Sequence, residues 1–259
     1  MHNVSFDTVG GIIWRIHLSK VHQIIVRKLK EHSRLSGEDL AAINALSHTV
    51  KELKPNEDLI RQGDDPDVSA VVVSGMVARY HLLQNGNRQY LSFHMPGDMP
   101  DTQALFIDQM DHAVCAIGPA VIASIPHKGL LAAFSRRPSV GFAIWRETLI
   151  DAAIFREAIT NNSARTMPVR MAHLFCELFY RALASGLTDD RTFAAPISLI
   201  QLGEALGMSI ATVNRTLQDL RASRTMDFQR GILHINDWKR LVELAQFNPA
   251  YLHQKKALL

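Results

Sequence analysis

The chain has 259 residues, of which 47% are hydrophobic and 20% charged, with a formal charge of +3 and a mean hydropathy of zero. That length and apolar content suffice for two compact domains, and the charge content excludes a disordered or fibrous chain. A pI near 9.0 tilts the expected partners weakly toward polyanions.

The most apolar run, Val68 to Ala78, is too short for a membrane span and is broken by Ser69, Ser74 and Gly75. Arg15, His17 and Lys20 interrupt the apolar stretch near the start, which is therefore a poor signal peptide. Cys115 and Cys176 lie far apart and outside any C-x-x-C pair, which fits a cytoplasmic chain without a structural zinc or an iron–sulfur cluster of its own. Both read as small buried hydrophobes, with a redox role for Cys115 as the alternative.

Residues 1–25 share no period with the rest of the chain and read as a loosely attached extension, the first domain starting near Val26. Ser36 can cap a short helix with Asp39 answering it, and Leu40, Ile43 and Leu46 form its apolar stripe. Strand-like runs follow at Val68–Val73, Val77–Leu83, Tyr90–Phe93, Ala113–Ile117 and Val121–Pro126, separated by turn signals that include Asn85-Gly86 and Pro96-Gly97-Asp98. Many short strands at even spacing predict an antiparallel roll or small barrel over residues 26–137. From Phe142 to Met167 no proline or glycine occurs, and Phe142, Trp145, Leu149, Ala152 and Ile159 recur at helical spacing. Such a helix, in a segment taken as 138–167, needs a partner for its stripe: a second copy in a homodimer is preferred over docking on its own β domain. The last domain, 168–259, opens with a helix over Val169–Ala184 and a polar connector over Thr188–Pro196.

Within it, Leu199 to Ser223 reads as two helices joined by a tight turn. Leu202, Leu206, Met208, Val213 and Leu217 supply buried knobs, and Gly203 has no side chain where the helices approach. Gly207 can end the first helix and Ser209 can cap the second. Ile210, Ala211, Asn214 and Arg215 then face outward on the N-terminal part of a recognition helix. Ser209 and Thr212 are placed for phosphate contacts, and Arg215 can fork onto guanine, a contact worth ~1–3 kcal/mol of discrimination. A plain helical hairpin with a surface arginine is the alternative. Against it stands the hairpin wing read from Thr225–Phe228 and Ile232–Ile235 around Gln229-Arg230-Gly231, with Arg221, Arg224 and Arg230 adding positive charge. Asn236 and Asp237 start a closing helix packed through Trp238, Leu241, Leu244 and Ala245.

A β-roll with Gly63, Gly75 and Pro96-Gly97-Asp98, a long helix and a winged helix-turn-helix resemble the Crp/Fnr family over roughly Val26 to Leu252. The resemblance implies an α+β chain with a cyclic-nucleotide-binding-like sensor, a dimerisation helix, and two recognition helices reading a palindrome in double-stranded DNA. It also implies contact with RNA polymerase where such a protein activates. Ser209, Thr212 and Arg215 match the family's DNA-contact positions. Ile210 and Ala211 stand where cyclic-AMP-responsive members place an arginine and a glutamate, so a different half-site is expected. Asp101 and Thr102 replace the family's ribose-binding Gly-Glu pair, and His112-Ala113 replaces its phosphate-binding Arg-Ser pair. Without that arginine a cyclic phosphate loses its charge-assisted bonds, so cyclic AMP is not the expected effector. Oxygen-sensing members carry an N-terminal cysteine cluster that the corresponding segment here lacks.

His94, His112 and His127 lack the H-x-H spacing of a metal or cupin site, and no nucleophile, phosphate loop or carboxylate pair points to catalysis. The second functional reading is a ligand-binding module whose helix-turn-helix serves protein interaction.

Overall fold

The computed structural model describes residues 21–254, so the reading of residues 1–20 lies outside them. Helix α1 spans Val21–Lys30 and buries Val21, Ile25 and Leu29, four residues apart on one helical face. The folded region thus includes residues 21–25, which the sequence had assigned to the extension. Helix α2, Gly37–Asn44, begins with the expected capping box, Ser36 accepting from Asp39 N–H and Asp39 accepting from Ser36 N–H.

The roll comprises β1 (Thr49–Leu53), β2 (Asp58–Ile60), β3 (Val68–Ser74), β4 (Val77–Leu82), β5 (Arg88–His94), β6 (Ala113–Ala116) and β7 (Ala120–Pro126). They pair antiparallel in two sheets, ordered β1-β7-β3 and β2-β6-β4-β5. Between the sheets lie Leu53, Ile60, Val72, Val77, Val114 and Ile122. The β4–β5 hairpin turns at Asn85-Gly86, with Gly86 in the left-handed region (φ 81°) and Asn85 outside it.

Helix α3 (His127–Arg136), unread in the sequence, leads into α4 (Pro138–Ala164), and α5 runs Met167–Ala184. The long helix stops three residues before the expected end at Met167. Continuing it would drive the ring of Pro168 into the carbonyl of Ala164 and leave that carbonyl unbonded. Helix α4 has two apolar faces. Val140, Ala143, Ile144, Ile150 and Ile154 dock on the chain's own core, while Phe142, Trp145, Leu149 and Ile159 are 62%, 57%, 52% and 69% exposed. The two fates weighed for this helix therefore fall on different faces.

The polar connector is not a loop. Strands β8 (Thr188–Asp189) and β9 (Thr192–Ala194) extend the wing sheet, whose order is β10-β11-β9-β8, with β10 at Met226–Gln229 and β11 at Ile232–Ile235. Helices α6 (Leu199–Leu206), α7 (Ile210–Ala222) and α8 (Trp238–Ala245) complete this domain. One continuous apolar cluster joins Met76, Tyr90, Phe93 and Ile117 of the roll to Phe175 of α5 and Leu202 and Ala205 of α6.

Candidate nucleic-acid interface and sensor site

Helix α6 starts with a capping box, Ser198 and Gln201, spelled S-x-x-Q in the sequence but not read there. Gly207 ends it with φ 65° and ψ 41°, a conformation that disfavours other residues. A Cβ on Gly203 would stand 2.6 Å from the Met208 carbonyl oxygen, so the missing side chain permits the close approach of the two helices. Ser209 caps α7 by accepting from Thr212 N–H at 3.2 Å, and its Oγ lies 2.9 Å from Thr212 Oγ1. These hydroxyls and the free N–H groups at the start of α7 form one polar end suited to a phosphate.

Val213, Thr216, Leu217 and Leu220 are buried, which turns Ala211, Asn214, Arg215 and Gln218 to solvent together with Ile210. Gln218 was not singled out, although its three-residue spacing from Arg215 places it on the same face, and its amide can pair with adenine. Arg215 has no ion pair among the described residues. Arg221 does: Nε and Nη2 each lie 2.7 Å from Asp227 Oδ1. Its charge is therefore partly matched within the wing, on a side chain that is still 48% exposed. Arg230 carries no ion pair among the described residues and occupies, with Gly231, a two-residue turn in which both φ are positive (49° and 74°).

The last carbonyls of α6, which the helix itself leaves unbonded, are satisfied from three other elements. Gln89 Nε2 of β5 donates to Glu204 O (2.7 Å), Asn162 Nδ2 of α4 to Ala205 O (3.2 Å), and Arg170 Nη1 of α5 to Leu206 O (2.8 Å). The helix-turn-helix is thus held directly to the roll and to the long helix.

The four residues expected at an effector pocket, Asp101, Thr102, His112 and Ala113, lie near one buried guanidinium, Arg79 of β4, which the sequence did not single out. Asp101 accepts from Ala70 N–H through both oxygens (2.8 and 3.0 Å). Burial pushes its carboxyl up to about 7, against the pull of that N–H and of Arg79. Thr102 donates to Met99 O, and Ala113 pairs with Tyr80 across β4 and β6. His112 bonds Asp111 at 2.6 Å, and burial and Arg79 disfavour its charged form. Arg79 itself binds Asp151 of α4, donates to Pro100 O at 2.7 Å and lies over the Phe155 ring at 5.3 Å. Of the four, only Thr102 lines the small cavity beside Arg79 and Asp151, which is about 30 Å³, room for ~2 waters. Cyclic AMP does not fit these residues: Arg79, the buried guanidinium beside them, is already paired with the Asp151 carboxylate and leaves a cyclic phosphate no free cation.

Beside this site, Asp98 accepts from Met95 N–H (2.8 Å), Lys28 Nζ (3.1 Å) and Arg181 Nη2 (2.7 Å). Burial would raise its pKa, but the two cations hold it well below the usual carboxylate range. The thiols of Cys115, on β6, and Cys176, on α5, are both buried on separate elements, and two thiols cannot supply the four ligands of an iron–sulfur cluster. Among the described residues no group of three or more His, Cys, Asp or Glu is placed to hold a metal. His94 instead shares a 2.8 Å hydrogen bond with Ser92.

A β-roll of this topology, tied by a long helix to a winged helix-turn-helix, defines a DNA-binding transcription regulator with a sensor-type N-terminal domain. Residues 50–137 match the model of the cyclic nucleotide-binding domain, and residues 169–244 match that of the Crp-like helix-turn-helix domain. Similar proteins include the Anaerobic regulatory protein of Haemophilus influenzae, 26% identical over 216 residues covering 83% of each chain. The Transcriptional activator protein Anr of Pseudomonas protegens is 24% identical over 82% of this chain and 86% of its own. The structure of FixK2 from Bradyrhizobium japonicum shares the fold at a TM-score of 0.69 and 23% identity, covering 77% of this chain and 98% of that one. The chain belongs to the Crp/Fnr family of transcription regulators. No helix among the described residues is long and apolar enough to cross a membrane.

Proposed function

We propose that the chain acts in the cytoplasm as a homodimer that reads a two-fold-symmetric DNA site, with Arg215 as its principal base contact. The observation that carries this is the solvent-facing row Ala211, Asn214, Arg215 and Gln218 on a helix whose N-terminus presents the Ser209 and Thr212 hydroxyls. Arg230 at the wing tip adds a backbone contact, and Arg221 acts chiefly by holding the wing through Asp227. The exposed stripe Phe142, Trp145, Leu149 and Ile159 supports pairing of α4 with its copy. The pairing of Arg79 with Asp151 supports control by a signal other than cyclic AMP, passed to α6 through Gln89, Asn162 and Arg170. Contact with RNA polymerase follows if the protein activates.

The test is binding of genomic DNA fragments across a salt series. Affinity should fall log-linearly with salt, and Arg215→Ala should relax one half-site position by ~1–3 kcal/mol. Thr212→Ala should weaken all sequences alike. A folded dimer without salt-sensitive DNA binding would instead favour the reading in which the helix-turn-helix serves protein interaction.

A further inference from the structure

Between the turns of the roll and the wing lies a cleft of about 910 Å³, separate from the residues around Arg79. That volume is in the range of small-molecule sites, ~300–1,000 Å³. Its floor is apolar: Met76, Met95 and Ile117 come from the roll, and Phe193, Leu217 and Phe228 from the C-terminal domain. Its back is closed by tight contacts at Gly118 and Gly75. A Cβ on Gly118 would lie 3.2 Å from Pro196 Cβ, and one on Gly75 would lie 2.3 Å from Pro119 O. Among the described lining residues no side chain is acidic, and the charged ones are Arg221 and Arg230. Arg221 is matched by Asp227, which leaves Arg230 as the unmatched cation. No residue of α4 lines the cleft, so pairing through that helix's exposed stripe leaves it uncovered.

An apolar floor with one unpaired cation at its rim selects a particular occupant. Phosphate-rich DNA gains nothing from the floor, and a cation gains nothing from the rim. We propose that this cleft binds a small lipophilic anion, its apolar body on Met76, Met95, Ile117 and Phe193 and its anionic group at Arg230. Asn214, Gln218 and Arg230 line the same cleft and belong to the DNA-reading surface. The occupant therefore lowers DNA affinity, and DNA lowers affinity for the occupant by the same factor. This second half rests on the DNA-binding reading; the binding site itself does not.

The experiment is calorimetric titration of the full-length dimer with decanoate below its micelle concentration, against decyltrimethylammonium with the same tail. Decanoate should bind saturably, one per chain, and at least about tenfold more tightly than the cation. Ala194→Trp, which fills the cleft, should weaken decanoate at least about tenfold. Arg230→Asn, which removes the cation but tolerates the left-handed turn, should do the same at an exposed site that folding does not depend on. Saturating decanoate should reduce affinity for a bound genomic fragment at least about fivefold, and this loss should vanish in Ala194→Trp. Equal binding of anion and cation insensitive to both substitutions, or no saturable binding, overturns the site. Saturable decanoate binding with unchanged DNA affinity overturns the coupling. If decanoate binds but no DNA does at any salt, the site stands and the regulator reading fails.

Discussion

Replacing Gly203 by alanine tests how tight the turn of the helix-turn-helix is. In an ordinary helix interior this change stabilises by ~1 kcal/mol, since alanine surrenders less backbone entropy. Here the added Cβ would sit 2.6 Å from Met208 O, and reaching even 3.0 Å requires the two to part by 0.4 Å. The obstacle is backbone, and it cannot turn aside freely, because Met208 N–H donates to Gly203 O at 2.9 Å and Ser209 caps the next helix. Overpacking of this kind costs ~1–3 kcal/mol, so the net effect is a loss of roughly 0–2 kcal/mol. The displaced start of α7 should also weaken specific DNA binding about tenfold, the scale of one bidentate base contact. Gly129 is the control, because it is helical in α3 and an added methyl there would have nothing within 4 Å, so Gly129→Ala should stabilise. Urea midpoints and DNA titrations of the two variants give the comparison. If Gly203→Ala stabilised as much as Gly129→Ala with DNA affinity intact, the close approach would be refuted.

Trp145→Glu places a charge in the exposed stripe of α4 twice per dimer; at roughly 1–2 kcal/mol per copy the dimer should loosen about a hundredfold, read by analytical ultracentrifugation, whereas unchanged association would remove α4 from the interface. Asp98→Ala leaves Lys28 and Arg181 buried without their shared carboxylate, and a urea midpoint should report a loss of ~3–5 kcal/mol; a loss under ~1 kcal/mol would mean that the network is not buried as described. Burial, reinforced by Arg79, lowers the His94 pKa from 6.5 to about 3. The unfolded chain therefore takes up a proton near pH 6.5 that the fold refuses, and stability falls as pH drops from 6.5 toward 3. Asp101, raised to about 7, works in the opposite direction in the overlapping window, so the informative quantity is the difference between wild type and His94→Asn. That difference should shrink steadily between pH 6.5 and 4.5, and a pH-independent difference would show that His94 titrates normally.

What the sequence by itself determined is whatever depends on neighbours within a few residues. The Ser209 cap, the left-handed Gly207, the knobs Leu202, Val213 and Leu217, and the outward Arg215 are all set by helical spacing, so the reading head was legible before any tertiary contact. The missed elements are those whose residues gain their reason from distant partners. Strand β1 exposes four of its five residues and shows no alternation; it is a strand because it pairs with β7 some seventy positions later. The segment Thr188–Ala194 looked like a connector because Thr192–Ala194 forms a strand only against Ile232, Leu233 and His234, and Thr188–Asp189 only against that strand in turn. The stripe legible in α4, Phe142, Trp145, Leu149 and Ile159, is the exposed one, and only packing against the chain's own core brought out the buried face of Val140, Ala143, Ile144, Ile150 and Ile154. The same holds for charge: Arg221 looked like Arg230 until the fold set Asp227 beside it, and Arg79, silent in the sequence, is buried against Asp151 because β4 and α4 meet there. Local geometry writes the DNA-facing surface into the sequence, while the pairing of buried charges and the shape of the clefts between domains exist only once the chain has closed on itself.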